Sequence, residues 1–347
     1  MLLAAGRSTR LGALGERLPK PLVPICGYPA IRFGLQTLVH AGLRQVVVNL
    51  HHHAPLLREA LGDGAAYGAS VTYSDEVDLL GTGGGLAHAR DLLGPGAVVV
   101  MNAKVVAAVD LRAALAAHEA SGAEATLVVR DDPDARGWGA IAADASGRIV
   151  SILGQPGADG KPGRAAAGEL AAGELAAGEV AGGEVVERMF TGIQIVGPSI
   201  RERLRPVFSD TVRDGYIPAL REGADLRVFV ADGYFAEHST PERYLAGNLA
   251  VLRSPGLVPF PPGPLQGTEP SARIAPTARI VGPVRIAENV VVAADATVGP
   301  DVVLGAGARV APGVRLTRTV VWPGVSVTQH AAGAVCTPDG VVQIEPP

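Results

Sequence analysis

The chain of 347 residues contains only two cysteines and has no excess of positive charge. Small secreted domains that depend on disulfide bonds are rich in cysteine, so that class is excluded. The 30 Lys and Arg residues are outnumbered by 34 Asp and Glu residues, which gives a formal net charge of −4. Because a global positive field is missing, we expect neither nucleic acid nor an anionic membrane as a partner.

The chain also lacks a long hydrophobic run and the features of a secretion signal. No apolar stretch approaches the roughly 18 to 20 residues that a membrane-spanning helix needs. Residues 1–6 have neither the basic start nor the length of a signal peptide. We therefore expect a cytoplasmic protein in which Cys26 and Cys336 stay reduced, since neither has a His or Cys nearby at metal-ligand spacing.

Residues 1–253 alternate short β-branched runs with Ala- and Leu-rich stretches. This alternation is typical of an α/β domain whose mainly parallel sheet is covered on both faces. Strands are predicted at 45–50, 70–74, 97–101, 125–130, 194–196 and 226–230. Helices are predicted at 31–41, 54–61, 85–93, 111–121 and 240–252.

Two segments interrupt this pattern. Residues 156–186 repeat Gly-Glu followed by Leu or Val every five residues, a period that fits neither a helix nor a strand. We predict a solvated, flexible insertion with no function of its own. Residues 254–270 are rich in proline and are predicted to form an extended linker.

Residues 271–335 show the clearest periodicity in the chain. An aliphatic or aromatic residue recurs every six positions, with a small or aliphatic residue two positions before it: Ile274, Ile280, Ile286, Val292, Val298, Leu304, Val310, Leu316 and Trp322. Such hexapeptides predict a parallel β-helix with three repeats per coil and about three coils.

The β-helix suggests two roles. Many proteins with this fold are acyltransferases, but His330 is the only histidine in or near the repeats. A scaffold or oligomerisation role is therefore favoured. Val325, Val327 and Val335 follow the last repeat without a charged cap, so we expect this end or a flank to pack on another subunit of a homo-oligomer.

The residues that suggest chemistry begin at the N-terminus. Residues 4–12 combine small residues with arginine, and a lysine between two prolines follows at 19–22. A tight loop of small residues after a strand lets backbone N–H groups approach phosphate oxygens, which Arg10 and Lys20 can neutralise. The two cations could instead pair with surface carboxylates, but the spacing of the two segments favours a phosphate site.

These segments resemble the A-A-G-x-G-T-R and P-K-P-L motifs of the sugar-1-phosphate nucleotidyltransferases. Further segments similar to the family's follow in the same order at 27–29, 47–51, 80–85, 137–141, 190–193 and 239–242. With the hexapeptide repeats, the mannose-1-phosphate guanylyltransferases are the most similar subgroup. The resemblance implies a Rossmann-like nucleotidyltransferase domain at 1–253 with a mainly parallel sheet, followed by a left-handed parallel β-helix.

The resemblance also implies a reaction and a set of site residues. A sugar-1-phosphate oxygen would attack the α-phosphorus of a nucleoside triphosphate, with GTP and a mannose-like sugar favoured, and pyrophosphate would leave. Arg10 would hold the departing phosphates and Lys20 the α-phosphate. The implied nucleotide-binding residues are Ala4, Ala5, Gly6, Ser8, Thr9, His51, Gly81, Thr82, Gly83 and Asn102, and the implied sugar-binding residues are Gly139 and Thr191.

The chain departs from the family at four positions of this site. Residues 102–104 read Asn-Ala-Lys where the family has N-G-D, whose Asp binds Mg²⁺, and Glu237 stands at the second metal Asp. Ser8 replaces a glycine, and residues 154–156 replace E-K-P. Two hypotheses follow. The protein is an active nucleotidyltransferase, or it is a catalytically impaired homologue that binds a nucleotide or nucleotide sugar and serves as a regulatory or scaffold subunit for a protein partner.

The position of Lys104 distinguishes a mechanism in which the protein holds a metal ion from one in which it does not. A lysine ammonium has three donors and no lone pair, so it cannot ligate Mg²⁺. We predict that Lys104 takes the place of the metal as a third catalytic group and pairs with Glu237. In the alternative, Lys104 extends into solvent and the site is broken.

Two further clusters of polar residues are predicted to be neither a metal site nor a catalytic pair. Residues 51–53 are three consecutive histidines, but neighbours on an extended chain point in opposite directions and cannot easily share one ion. We expect His51 near the nucleotide and the other two in solvent. Glu76 and Asp78 could form an acid/base pair, but the reaction needs no proton transfer, so a solvated loop is predicted.

Overall fold

The computed structural model describes residues 1–157, 179–180 and 183–344. Most of the repeat insertion predicted at 156–186 lies outside the described residues, so its flexibility stays a prediction. In chain order the α-helices of the described part are α1 (Ala13–Arg17), α2 (Ala30–His40), α3 (Ala54–Leu61), α4 (Gly81–His88), α5 (Leu111–Ser121), α6 (Ala135–Trp138), α7 (Pro198–Arg203), α8 (Ile217–Arg221) and α9 (Pro241–Arg253).

The strands before the Pro-rich segment form a large sheet and several short ribbons. They are β1 (Leu2–Leu3), β2 (Pro24–Ile25), β3 (Tyr28–Pro29), β4 (Gln45–Leu50), β5 (Ser70–Asp75), β6 (Val98–Asn102), β7 (Val105–Ala107), β8 (Ala125–Arg130), β9 (Ala140–Ala143), β10 (Ile149–Ile152), β11 (Gln155–Pro156), β12 (Glu179–Val180), β13 (Gly183–Glu184), β14 (Val186–Val196), β15 (Leu226–Val230) and β16 (Phe235–Glu237).

The large sheet of this Rossmann-like domain contains both parallel and antiparallel strand pairs. Its order is β11-β10-β9-β14-β6-β1-β4-β5, and β8 pairs with both β14 and β15. The strands from β6 to β5 are parallel, whereas the long β14 runs antiparallel to β6, β8 and β9. Parallel strands end at the same edge, so the loops after β1, β4 and β6 lie together.

Alternate residues of the central strands are buried on opposite faces of this sheet. Val98 and Val100 belong to one hydrophobic cluster, while Val99 and Met101 belong to another. Neighbouring β4 repeats the division, with Val47 in the first cluster. Side chains of a strand alternate between faces, so the continuous β-branched runs are explained by a sheet covered on both sides.

Most predicted elements are confirmed, and the differences have physical causes. The strand predicted at 194–196 is the end of the eleven-residue β14. The helix predicted at 85–93 begins instead at Gly81 and ends at His88, followed by a 3₁₀ turn. Its glycines disfavour a helix in isolation, but the segment at residues 207–211 packs closely against them and leaves no room for side chains.

The C-terminal strands form the predicted parallel β-helix. They are β17 (Gly267–Thr268), β18 (Arg273–Ile274), β19 (Arg279–Ile280), β20 (Val284–Ile286), β21 (Val291–Val292), β22 (Thr297–Val298), β23 (Val302–Leu304), β24 (Arg309–Val310), β25 (Arg315–Val321), β26 (Ser326–Val327), β27 (Ala331–Thr337) and β28 (Gly340–Gln343). Val284 pairs with Val302, so one coil spans three hexapeptides.

The end of the β-helix is covered by the chain itself. The β27–β28 hairpin closes the last coil, with β27 also paired to β25. Val325, Val327 and Val335 are buried within the single chain. The expectation that these valines leave an open apolar end is therefore wrong, and the homo-oligomer stays a prediction without that support.

Helix α9 joins the β-helix to the first domain. The indole N–H of Trp322 donates to the Tyr244 hydroxyl at 3.0 Å, and that hydroxyl donates to the carbonyl of Pro24 at 2.7 Å. Arg253 at the end of α9 makes two hydrogen bonds to Asp301, at 2.9 and 2.7 Å. One hydrophobic cluster includes residues of both domains, so the β-helix packs directly against the segment that follows Lys20.

Candidate functional site

A cleft of about 190 Å³ opens at the edge of the sheet where β1 and β6 end. The residues that line it are Leu3, Thr82, Asn102, Trp138, Phe190, Thr191, Gly192, Gln194, Asp210, Thr211, Val212 and Glu237. Ligands of open α/β sheets bind outside the carboxyl ends of the strands. The location alone therefore makes this cleft the candidate site.

The loop after β1 is held against the segment that carries Lys20. Ser8 has a left-handed backbone conformation, with φ of 57°, and its hydroxyl accepts a hydrogen bond from the Lys20 amide at 2.8 Å. Arg10 follows in a short 3₁₀ turn. The serine that replaces a family glycine thus links the two predicted phosphate-binding segments. Ala4 and Ala5 of this loop are buried, while Gly6, Thr9 and Arg10 are exposed.

Lys20 is buried, with 9% of its surface exposed, and it lies close to other cations. Burial, together with the positive charges of Lys104 and Arg10, lowers the pKa of Lys20 to about 8. A lysine kept away from water and near like charges is destabilised in its charged form unless an anion is bound. The position of Lys20 therefore favours an anionic ligand.

The predicted ion pair between Lys104 and Glu237 is present. Strand β7 pairs antiparallel with β16, so that Glu237 lies opposite Val105, the residue after Lys104. The Lys104 ammonium is 2.8 Å from Glu237 Oε1, and the Arg10 guanidinium is 3.6 Å from the same oxygen. The alternative in which Lys104 extends into solvent is wrong for this structure.

Glu237 is ionised in this setting. Burial acts to raise the pKa of its carboxyl group, but Lys104, Ser239 and Arg10 together outweigh burial and hold that pKa below its usual range. Its neighbour His238 is fully buried beneath α9, which lowers the pKa of the imidazole to about 4. We call the group formed by Arg10, Lys20, Lys104 and Glu237 the cationic cluster. At neutral pH His238 is uncharged, so it adds no charge to this cluster.

A buried bridge connects the loop after β1 to the loop before α4. Asn49 accepts from the Ala4 amide at 2.8 Å and donates to Glu76 Oε1 at 2.7 Å. The other carboxylate oxygen of Glu76 accepts from the Leu80 amide at 2.9 Å. The prediction that Glu76 belongs to a solvated loop is wrong, because its side chain is buried and accepts both of these hydrogen bonds. Asp78 is exposed, as predicted.

The three histidines lie beside this bridge and not in the cleft. His51 donates from Nδ1 to the carbonyl oxygen of Glu76 at 3.1 Å, which holds it at the end of β4. His52 is exposed, but His53 is only partly exposed, so the expectation of a solvated His53 is wrong in part. The rings of His52 and His53 are in contact, with centroids 3.9 Å apart.

Thr82 is the one residue of the predicted 81–83 loop that lines the cleft. Its hydroxyl donates to Asp210 at 3.1 Å and accepts from the Thr211 amide at 2.8 Å. A Cβ atom on Gly81 or Gly83 would approach residues 209–211 within 3 Å. These glycines are therefore required for packing between α4 and residues 209–211, whether or not they contact a ligand.

The two residues predicted to bind sugar are placed differently. Thr191 lines the cleft, but its hydroxyl donates to the Val128 carbonyl at 2.7 Å and so supports the sheet. Gly139 has φ of +116° at the end of α6, and its neighbour Trp138 lines the cleft instead. Asn102, at the end of β6, also lines it.

Sequence reasoning missed Trp138, Gln194 and Asp210. Trp138 is part of the 137–141 segment, so its indole could have been named together with Gly139. Gln194 is buried and accepts from the Tyr216 hydroxyl at 2.7 Å. Asp210 caps the N-terminus of a π-helical turn at Thr211–Tyr216. No local sequence motif predicts that it lies opposite Thr82.

The carboxylate at the predicted magnesium position is already paired with a lysine. Mg²⁺ prefers an octahedral set of oxygen ligands. Glu237 is the carboxylate at the predicted position, and its Oε1 is already bound by Lys104. In the ranges given above, no group of three or more His, Cys, Asp or Glu side chains could hold a metal. We therefore assign no step to such an ion.

Comparison with known families agrees with this geometry. Residues 1–170 match the family described as "Nucleotidyl transferase", and residues 283–318 match "Bacterial transferase hexapeptide (six repeats)". Residues 1–170 belong to the nucleotidyl transferase family. The second match covers the middle coils of the β-helix. None of the helices described above is long and apolar enough to cross a membrane.

Among the curated relatives of this chain, some are similar over most of its length and others over a shorter part. Mannose-1-phosphate guanylyltransferase of Mycobacterium tuberculosis is 25% identical over 75% of this chain and 66% of its own length. The corresponding enzyme of Schizosaccharomyces pombe is 27% identical over 73% and 64%. This chain thus spans about two thirds of each. N-acetylmuramate alpha-1-phosphate uridylyltransferase of Neisseria meningitidis is 41% identical over 33% of this chain and 50% of its own length.

Solved structures show the same fold. A putative glucose-1-phosphate thymidylyltransferase from Bacillus anthracis superimposes with a TM-score of 0.56 at 19% identity, over 73% of this chain and 94% of its own. HddC from Yersinia pseudotuberculosis, solved with GMP-PN, gives 0.55 at 20% identity, over 71% and 96%. At such identities the likeness concerns the fold alone.

Proposed function

We propose that this protein transfers a nucleotidyl group from a nucleoside triphosphate to a sugar 1-phosphate. The observation that carries the proposal is the cationic cluster beside the cleft. Ser8 joins the two predicted phosphate-binding segments, Arg10 and Lys104 contact Glu237, and Lys20 lies near enough for its charge to interact with theirs. A polyphosphate is the ligand that this excess of positive charge suits best.

In the proposed reaction, the protein aligns two anions and neutralises their charge. An oxygen of the sugar phosphate attacks the α-phosphorus, the bond from that phosphorus to the bridging oxygen breaks, and pyrophosphate leaves with the electron pair. Lys20 would contact the α-phosphate and Arg10 the departing phosphates. Such positioning and electrostatic stabilisation supply most of the catalysis in phosphoryl-type transfers.

GTP and a mannose-like 1-phosphate are the proposed substrates. Supporting this choice, two of the relatives that span most of the chain are named for mannose-1-phosphate guanylyl transfer. The shorter, more identical uridylyltransferase match makes UTP the second base to test. Nucleoside triphosphates are made and used in the cytoplasm, where we expect this protein to act.

The contact between Lys104 and Glu237 also favours a second function. If the ammonium prevents turnover, the protein would bind a nucleotide or nucleotide sugar without converting it, as a regulatory or scaffold subunit in a homo-oligomer or with a protein partner. Binding would then persist in the absence of pyrophosphate release.

A substrate panel separates the two functions. The purified chain is incubated with GTP, UTP, ATP or dTTP and with mannose, glucose or N-acetylglucosamine 1-phosphates, and pyrophosphate is measured. Release that requires both substrates and falls at least ten-fold in Lys20→Met supports transfer. Triphosphate binding by calorimetry without release for any pair supports the second function, and the absence of both contradicts the proposal.

A further inference from the structure

The cationic cluster contains more positive charge than its carboxylate can neutralise. Arg10 and Lys104 both contact Glu237 Oε1, and Lys20 is near enough for their charges to act on it. Three cations share one carboxylate, so positive charge exceeds negative charge by two. Lys104 and Glu237 are partly buried, with side-chain exposures of 21% and 13%. Repulsion among partly buried like charges persists unless a counter-anion is present.

Lys104 is also held in place before any ligand arrives. The β7–β16 pairing fixes the backbone at Lys104 and Glu237, and the 2.8 Å hydrogen bond fixes the ammonium at its far end. A lysine anchored in this way loses less side-chain entropy when it binds a ligand than a free one does. Glu237 lines the cleft, so the ammonium bonded to it lies beside the cleft with two further donors.

We propose, on the basis of the function proposed above, that Lys104 is a built-in cation that binds polyphosphate where a protein-held divalent ion would otherwise neutralise charge. Glu237 acts as its positioning residue. Polyphosphate binding therefore does not require a divalent ion, whatever ion a nucleotide carries with it in the cell.

Tripolyphosphate and GTP titrations in EDTA, monitored by calorimetry, test this proposal. The wild-type chain should bind tripolyphosphate with a Kd that changes less than about three-fold between EDTA and excess Mg²⁺. Lys104→Met keeps the length of the side chain without its charge and should weaken binding in EDTA about ten-fold or more, the range for hydrogen bonds to charged groups. Lys104→Arg should restore most of the affinity.

Two further variants separate charge from folding. Glu237→Gln keeps the shape of the anchor and removes its negative charge, so tripolyphosphate should bind at least as well as to wild type. Lys104→Asp places a second carboxylate beside Glu237 and should make binding depend on Mg²⁺. Thermal unfolding of each variant shows whether the fold is kept.

The outcomes distinguish this inference from the proposed function. Unchanged tripolyphosphate affinity in folded Lys104→Met would overturn the inference, as would a loss of wild-type binding of more than about three-fold in EDTA. Binding of tripolyphosphate but not of any nucleoside triphosphate would contradict the proposed function and leave the built-in cation supported. Binding of neither ligand would overturn both.

Discussion

Replacing Glu76 by glutamine tests the buried bridge between the loops around the cleft. The carboxylate accepts two hydrogen bonds, from Asn49 Nδ2 at 2.7 Å and from the Leu80 amide at 2.9 Å. A glutamine has one acceptor oxygen, so its amide nitrogen would face one of these donors. Loss of one hydrogen bond to a charged group costs about 1.5 to 3 kcal/mol. At about 2 to 4 °C per kcal/mol, the melting temperature of Glu76→Gln should fall by roughly 3 to 12 °C.

Asp78 supplies a matched control in the same loop. It is exposed, so Asp78→Asn makes the same chemical change where water solvates the side chain. Its melting temperature should stay within roughly 2 °C of wild type, because surface substitutions usually change stability by less than about 0.5 kcal/mol. Differential scanning calorimetry of the three proteins at pH 7 measures both effects. Equal melting temperatures for Glu76→Gln and Asp78→Asn would refute the bridge.

Three other predictions concern different parts of the molecule. The pKa of Lys20 is lowered to about 8, so the free protein loses this positive charge as pH rises through 8. Tripolyphosphate affinity, measured by calorimetry, should therefore fall over that pH range. In Lys20→Arg the side chain stays protonated, so the fall in affinity should be smaller. Trp322→Phe removes the hydrogen bond to Tyr244 and should lower stability in urea by about 1 kcal/mol; no loss would show that this contact is dispensable. Shortening residues 165–185 to a few Gly and Ser residues should leave the melting temperature unchanged, and a large fall would show that the segment packs.

The regular parts of the fold could be predicted from local sequence patterns. Hexapeptide spacing predicted the β-helix because each middle hexapeptide buries two residues, two positions apart, in the interior. The predicted boundaries 45–50 and 125–130 were correct, since β-branched residues in a covered strand form uninterrupted runs. The expectation of an uncapped β-helix end was wrong because the β27–β28 hairpin, which covers that end, lies beyond the last repeat.

The candidate site was predictable where short motifs carry the chemistry. Arg10, Lys20 and the Lys104–Glu237 contact followed from motif positions and from the charges of the residues. The position of Asp210 in the cleft depends on the packing of α4 against residues 207–211. These two segments are more than a hundred residues apart in the chain, so no local pattern predicts that position. The burial of Glu76 was missed for the same reason, because its partners come from β4 and from the turn before α4.

A crystal structure of the chain with GTP in EDTA would test the central claim most directly. The claim is that the cationic cluster binds the phosphates of a nucleotide in the cleft. We predict phosphate oxygens within about 3 Å of the Lys20 and Lys104 ammonium groups, the distance of a charge-assisted hydrogen bond. The base should then lie on the Thr82 side of the cleft. Phosphates bound away from both lysines, or Lys104 displaced into solvent with the nucleotide bound, would contradict the account.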